Sequence, residues 1–223
     1  DIFVMPGDDE DKVYYCVKRT VNGSDVRYLE RWAMESEAQG GTTSKIADSH
    51  VVYTGAAITA VTGADHLEGL TVTVWGVVSG ETAASYLGDF TVTSGGFTLA
   101  EAATPFVYGL NYTAQFKSSK LAYAAQMGTA INQKKIPNKV GLVARNLCAG
   151  GLQYGQDFDN LDYLPVVEEG DTFSDDYVYE EYDQEMFELN GDYDTDARLC
   201  LQCESPFAAT LLAVTLQITT NER

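Results

Sequence analysis

The sequence is poor in basic side chains and in histidine. Its 223 residues include 33 Asp and Glu but only 14 Lys and Arg, so the formal net charge is −19 at pH 7. Proteins that bind nucleic acids or anionic membranes neutralise phosphate groups with Lys and Arg, which disfavours both classes for so acidic a chain. The two histidines, His50 and His66, leave little material for acid–base catalysis or for metal ligation.

Cysteines are also few and irregularly spaced. Cys16, Cys148, Cys200 and Cys203 do not suffice for the disulfide framework of a small secreted domain, and we expect them to be reduced. Cys200 and Cys203 have the C-x-x-C spacing, but residues three apart on a strand point to opposite faces, which disfavours a shared metal ion. No apolar run approaches the roughly 20 residues of a transmembrane helix, so no membrane anchor is expected.

Several catalytic motifs are missing from the sequence. It contains no G-x-S-x-G nucleophile elbow, no G-x-x-x-x-G-K-[ST] phosphate loop and no G-x-G-x-x-G fingerprint, so we expect no enzyme and no cofactor. Two alternatives remain open. The abundant carboxylates permit a glycosidase-like acid and base, and residues 192–196 resemble the opening of a calcium loop, although Ala197 occupies the position where such a loop needs glycine.

Alternation of apolar and polar residues is the dominant pattern that is present. It runs through residues 12–19 and 25–32, which are rich in Val and Tyr and therefore predict two strands. Asn22 and Gly23 between them supply the positive φ angles of a tight turn. The sequence thus predicts a β-hairpin here.

Further strand patterns recur along the chain. Residues 33–47 lose the alternation and predict a connection, whereas the glycine-rich block 48–103 predicts closely spaced strands at 51–53, 58–61, 71–78, 86–93 and 97–99. Later strands are predicted at 106–112, 139–147, 197–204 and 210–219. Helix formers are concentrated in 114–132 and predict one short helix. The expected fold class is all-β, mainly antiparallel sandwich or barrel modules, with one short helix.

Charge is unevenly distributed along the sequence. Residues 157–196 contain 16 of the 33 acidic side chains and no Lys or Arg, which predicts an ordered but loop-like acidic arm at a lumen or an interface. Its candidate residues are Asp157, Asp159, Asp162, Glu168, Glu169, Asp171, Asp175, Asp176, Glu180 and Glu181. The candidate basic interface comprises Lys117, Lys120, Lys134, Lys135 and Lys139. These lysines either meet the acidic arm of a neighbouring subunit or form a solvated surface.

Several segments resemble a family of phage tail proteins. Residues 62–72, 90–99 and 106–112 are similar to a recurrent stretch of podovirus-type tail nozzle (tail tubular) and hub proteins, which contain an FCCH-like β domain. The similarity extends, in the family's order, to 15–23, 27–31, 134–140 and 205–215. It corresponds to the C-terminal part of such a protein. We therefore expect a main β domain of residues 1–47 and 104–223, with a small inserted β-barrel or sandwich domain at 48–103.

The resemblance implies a structural protein of the virion tail. Identical subunits, typically six, would form a ring around the DNA-ejection channel, in contact with other tail proteins such as the adaptor and fibres. DNA would be a transient passenger, and an acidic lumen would let it slide because like charges repel. The alternatives are a carbohydrate-binding or adhesin β module that uses the Tyr-rich acidic arm, and a tail-associated glycan hydrolase.

The resemblance also assigns a structural role to one turn motif. This motif comprises Gly63, Asp65, His66, Leu67, Glu68 and Gly69. The two glycines permit sharp turns, Leu67 is expected in the core, and His66 and Glu68 are expected to bond to the backbone of the turn.

Overall fold

The computed structural model of the chain describes residues 2–8, 10–122, 124–125, 128–148, 150–165, 167–168, 171–172, 177–183 and 186–220. The chain divides into two compact units, of which the first ends at Tyr112 and the second begins at Thr113. Antiparallel strands dominate both units, which confirms the all-β fold class. The helical elements of the described residues are three 3-10 helices, Glu35–Glu37, Asp65–Leu67 and Ala130–Asn132.

The first unit contains two antiparallel sheets. Its strands are β1 (Ile2–Met5), β2 (Lys12–Val21), β3 (Ser24–Arg31), β4 (Asp48–Tyr53), β5 (Ile58–Thr62), β6 (Thr71–Val78), β7 (Ser85–Thr91) and β8 (Gly96–Leu110). One sheet has the order β1-β2-β3. The other has the order β4-β8-β6-β7, with β5 also paired to β8. The strands expected within 48–103 are therefore confirmed.

The hairpin of β2 and β3 forms at the predicted position. Asn22 and Gly23 have φ angles of 47° and 74°, the left-handed values of a two-residue turn that matches the twist of the flanking strands. Val21 and Ser24 pair at the turn, and the ladder continues to Tyr14 and Arg31. Local turn chemistry thus fixes the register of this sheet.

Strand β8 organises the five-stranded sheet. It pairs with β4, β5 and β6, and the fully buried Leu67, Val72, Val74 and Phe106 form part of the core on this sheet. The boundary expected between 103 and 104 lies inside β8, because β6 pairs with β8 on both sides of it. The observed division at residues 112 and 113 therefore differs from the expected insertion of 48–103 into a domain of 1–47 and 104–223.

The second unit is also built from antiparallel strands. They are β9 (Thr113–Lys117), β10 (Ala124–Ala125), β11 (Gly128–Thr129), β12 (Lys135–Cys148), β13 (Leu152–Gly155), β14 (Leu161–Tyr163), β15 (Val167–Glu168), β16 (Asp171–Thr172), β17 (Val178–Asp183), β18 (Phe187–Glu188), β19 (Cys200–Glu204) and β20 (Thr210–Thr220). One sheet has the order β14-β13-β19-β9. In another, β12 pairs with β17 and β18 along one edge and with β20 along the other. Val140, Leu142, Leu147 and Leu199 are buried in its core.

The short helix expected within 114–132 is wrong for the described residues. Residues 113–117 are strand β9, in which Phe116 lies opposite Leu201 and Lys117 opposite Cys200. Residues 130–132 form a single 3-10 turn. Helix propensity is a weak preference, and the ladder to β19 satisfies the backbone donors and acceptors of β9 instead.

Candidate functional site

A cleft of about 750 Å³ opens in the first unit beside the β2–β3 hairpin. Parts of β2, β3, the connection 33–47 and β4 line it, and His66 of the turn motif contributes to its wall. Its side chains combine aromatic rings with charged and hydrogen-bonding groups, which is the composition of a site for a small polar ligand. We refer to it as the hairpin cleft.

Aromatic rings form one part of the hairpin cleft. Trp32 follows β3 directly and is 66% exposed, and its ring meets that of Tyr15 edge-on at a centroid distance of 6.1 Å. Tyr28 donates its hydroxyl hydrogen to the carbonyl of His66 at 3.1 Å, and the two rings also meet edge-on. Edge-on packing holds Trp32 in place while most of its surface remains open to solvent.

Glu30 is tied to both Arg19 and Ser49. Arg19 donates to both carboxylate oxygens of Glu30, with Nη2 at 3.1 Å from Oε2. The hydroxyl of Ser49 donates to Oε1 at 2.9 Å. Ser49 has a φ of 52°, an uncommon backbone conformation for a residue with a side chain. Because three donors already occupy the carboxylate, Glu30 is poorly placed to act as a general acid.

A second ion-pair network is centred on Glu37. Arg31 Nη2 lies 2.9 Å from both carboxylate oxygens, Lys45 donates to Oε1, and the backbone N–H of Met34 donates to Oε2 at 3.0 Å. Partial burial opposes ionisation, but the bonds from Lys45, Met34 and Arg31 outweigh it and lower the pKa of Glu37 to about 2. Glu37 is therefore ionised throughout the neutral and mildly acidic range.

The two histidines lie in the hairpin cleft but bond to the backbone. His50 Nδ1 lies 3.2 Å from the carbonyl oxygen of Ala47, and His66 Nε2 lies 3.3 Å from that of Ser49. Burial lowers the pKa of His50, which keeps its imidazole neutral at pH 7. Ser49 bonds to Glu30 and His50 bonds to Ala47, so these neighbours in sequence do not form a nucleophile and base.

The turn motif packs under the five-stranded sheet. Gly63 and Gly69 have φ angles of 83° and 76°, and Leu67 is fully buried. Glu68 accepts the backbone N–H groups of Ser94 and Gly95 at 3.0 and 2.8 Å. Asp65 begins the 3-10 helix Asp65–Leu67. The side chain of His66, expected to bond to the backbone of the turn, instead bonds to the backbone of β4.

The predicted acidic residues are spread over several strands and turns of the second unit. Asp157 accepts the backbone N–H groups of Asp159 and Asn160, both at 2.9 Å. Asp162 belongs to β14, Glu168 to β15 and Asp171 to β16, whereas Glu180 and Glu181 are exposed on β17. Glu169, Asp175 and Asp176 lie outside the described residues. Much of the expected acidic arm is therefore short strand rather than loop.

Lys135 does not belong to an exposed basic interface, which corrects the expectation. Its side chain is fully buried, and its ammonium donates to the carbonyls of Thr195, Gln133 and Ile131 at 2.9, 3.2 and 3.3 Å. Burial and the nearby Lys120 lower the pKa of Lys135, while Asp194 and Asp196 oppose that change. The chain folds Lys135 inward because backbone carbonyls replace the water around its charge.

The other predicted lysines lie apart on the second unit. Lys117 is exposed on β9, Lys120 and Lys134 lie outside the strands, and Lys139 on β12 pairs with Glu188 at 3.4 Å. In the part of the chain that is described, no three His, Cys, Asp or Glu side chains cluster in a way that could hold a metal ion. No helix there is long and apolar enough to cross a membrane.

The hairpin cleft was missed from the sequence, although one signal pointed to it. Tyr28, Glu30 and Trp32 are two residues apart, so their side chains lie on the same face of β3 and of its continuation. Tyr15 lies opposite Glu30 across the hairpin. A strand face that carries aromatic and charged side chains in place of aliphatic ones is a candidate binding surface.

Comparisons with known proteins do not assign a function to this site. No protein-family model matches the chain, and a search of curated proteins finds no match.

Proposed function

We propose that the chain is a structural subunit of a virion tail, within a homo-oligomeric ring of the tail-nozzle kind, and that it has no catalytic role. The observation that carries this proposal is a pair of uncharged edge strands, β1 and β20, that expose apolar side chains. Single-chain proteins commonly guard such edges with charged side chains or proline, because free backbone groups recruit further strands. Strands that lack charges favour pairing between subunits.

Strand β1 is the first of these edges. Its four residues are all exposed and apolar, with Ile2 at 75% and Val4 at 56%. Among the described residues β1 pairs only with β2, so its other side offers N–H and C=O groups to a partner. Exposed apolar side chains next to free backbone groups are the features that strand addition uses.

Strand β20 is the second edge. It runs for 11 residues without a charged side chain, and within the described part of the chain it pairs only with β12. A register shift opposite Val143 and Ala144 leaves Leu212 without a partner in the ladder, and this side chain is 62% exposed. A long uncharged edge with a projecting leucine suits contact with another subunit.

The acidity of the chain is consistent with a channel for DNA. A subunit of net charge −19 repels phosphate groups, so a ring of such subunits would let DNA pass without holding it. The same charge makes subunits repel one another. Contacts between the uncharged edge strands would therefore have to overcome this repulsion. Added salt should strengthen assembly, because it screens the repulsion between subunits.

The proposal is tested by the oligomeric state of the purified chain and of two edge variants. We expect sedimentation and negative-stain electron microscopy to show a ring of fixed stoichiometry at moderate salt. Val4→Lys and Leu212→Lys should each shift assembly to at least about tenfold higher concentration, because a desolvated charge at an edge costs more than 1.4 kcal/mol. Each lysine reduces the net negative charge, so increased repulsion cannot explain the loss.

Tyr163→Lys provides the matched control. Tyr163 is 63% exposed on β14, and its substitution changes the net charge by the same amount without touching either edge. It should assemble as the wild type does. A chain that stays monomeric inside assembled virions, or edge variants that assemble normally, would contradict the proposal.

A further inference from the structure

We propose that the hairpin cleft is a binding site for a neutral oligosaccharide. This inference goes beyond the assembly of subunits and does not depend on it. It assigns glycan recognition to the first unit and not to the Tyr-rich acidic segment of the second. Three features of the hairpin cleft carry it: its open aromatic surface, its balanced charge and its hydrogen-bonding groups.

The aromatic surface provides the stacking platform. A pyranose ring presents a face of C–H groups, which packs on an aromatic ring while its hydroxyl groups remain in contact with water or polar side chains. Trp32 is 66% exposed and borders the cleft. Contact with Tyr15 restrains its ring, so little side-chain entropy remains to be lost on binding.

The charge of the hairpin cleft selects against ionic ligands. The charged side chains that line it are two acidic ones, Glu30 and Asp48, and two basic ones, Arg31 and Lys45. Their ion-pair partners behind the wall, Arg19 and Glu37, add one charge of each sign. The neutral His50 adds no charge. A cleft without net charge, in a chain of −19, offers no attraction to an anionic ligand.

The polar groups of the hairpin cleft suit hydroxyl groups. The Asp48 carboxylate has no hydrogen-bond or ion-pair partner among the described residues and can accept from a sugar hydroxyl. Burial, together with Glu30 and Asp48, raises the pKa of Tyr15, so its phenol stays protonated and can donate. The ion pairs between Arg and Glu hold both side chains in fixed positions. Their remaining N–H groups and oxygens can therefore bond to sugar hydroxyl groups while both side chains stay charged.

Glycan binding by the full chain tests the inference directly. An immobilised panel of neutral hexose and N-acetylhexosamine oligosaccharides would be compared with sialylated and sulfated ones. The best neutral binder would then be titrated in solution. The chain has only two tryptophans, and Trp75 is buried at 1% exposure. Iodide quenching therefore reports on Trp32, and the neutral oligosaccharide should protect it.

Variants separate a glycan site from a structural cleft. Trp32→Ala should weaken binding of the neutral oligosaccharide by about tenfold or more, and Trp32→Phe should restore part of it, because a smaller ring retains some stacking. Asp48→Ala, at an exposed position, should also weaken binding. Tyr163→Ala removes a ring of similar exposure, 63%, from the second unit and should leave binding unchanged.

Three results would overturn the inference. The first is no binding to any neutral oligosaccharide of the panel at about 1 mM, the weak end of the affinity scale. The second is binding confined to sialylated or sulfated glycans. The third is wild-type affinity in Trp32→Ala, with circular dichroism confirming that the variant is folded.

Discussion

The two units carry nearly the same net charge but place their carboxylates in different surroundings. Residues 1–112 contain 15 acidic and 6 basic side chains, and residues 113–223 contain 18 and 8, so the net charges are −9 and −10. In the first unit the partly buried carboxylates of Glu30 and Glu37 pair with Arg and Lys. In the second, Asp157 and Asp194 accept backbone N–H groups.

This difference shows that net charge says little about local electrostatics. Ion pairs leave the hairpin cleft without net charge, whereas carboxylates bonded to amides keep their full negative charge at the surface. The buried charge of the second unit is instead a cation, Lys135, held by backbone carbonyls. Ion pairs thus neutralise Glu30 and Glu37 in the first unit, whereas Asp157 in the second is bonded to amides alone.

The largest expected effect comes from removing that buried cation. Lys135→Met keeps a side chain of similar length but removes the buried ammonium that bonds to three backbone carbonyls, which should lower the free energy of unfolding by about 3 kcal/mol. Urea unfolding at pH 7 measures the change. Lys134→Met, at the exposed neighbouring position, should change stability by less than about 0.5 kcal/mol. If the two variants are equally stable, water bonds to these carbonyls as well as the Lys135 ammonium does, and the prediction fails.

A smaller effect is expected from the Glu37 network of the first unit. Glu37→Gln should lower the free energy of unfolding by about 1–2 kcal/mol at pH 7, because it removes the charge that Arg31 and Lys45 share. The folded-state pKa, about 2, lies below the ordinary value of 4.5. The stabilisation is therefore complete above about pH 4.5 and is lost as the pH falls towards 2.

Unfolding of Glu37→Gln and the wild type between pH 7 and pH 2 checks this prediction. The difference between them should shrink below pH 4.5 and vanish near pH 2. Glu35→Gln, in the same 3-10 helix but exposed, should match the wild type across the range. A difference that persists unchanged at pH 2 would mean that packing, and not charge, accounts for the effect of Glu37.

Features fixed by neighbours in sequence could be predicted. The β2–β3 turn follows from Asn22-Gly23, and the strands of 48–103 follow from alternation and glycine spacing, because turn conformation and side-chain period are local properties. The all-β fold class follows from the same patterns. Burial of Leu67 was also expected, since an apolar residue between two glycine turns has one side on which to pack.

Features fixed by distant partners could not be predicted. Residues 113–117 form a strand only because β19, some 80 residues later, pairs with them. Lys135 is buried because Thr195 supplies a carbonyl from far along the chain. The hairpin cleft likewise depends on contacts such as Ser49 with Glu30, which no period in the sequence encodes. Long-range pairing overrides local propensity at each of these places.

The smallest effect is expected where a carboxylate of the second unit bonds to backbone. Asp157 closes the turn between β13 and β14 by accepting from Asp159 and Asn160, so Asp157→Ala should cost about 0.5–1 kcal/mol. Asp157→Asn retains an acceptor and should recover most of that loss, and Asp159→Ala should be neutral.

The dependence on salt separates the two kinds of carboxylate. Exposed ion pairs are screened between about 0.05 and 1 M NaCl. Because Asp157 bonds to amides and not to a charged partner, the cost of Asp157→Ala should stay nearly constant over that range. The cost of Glu37→Gln should fall over that range. If both respond to salt alike, the carboxylates of the two units are stabilised in the same way and the contrast between the units fails.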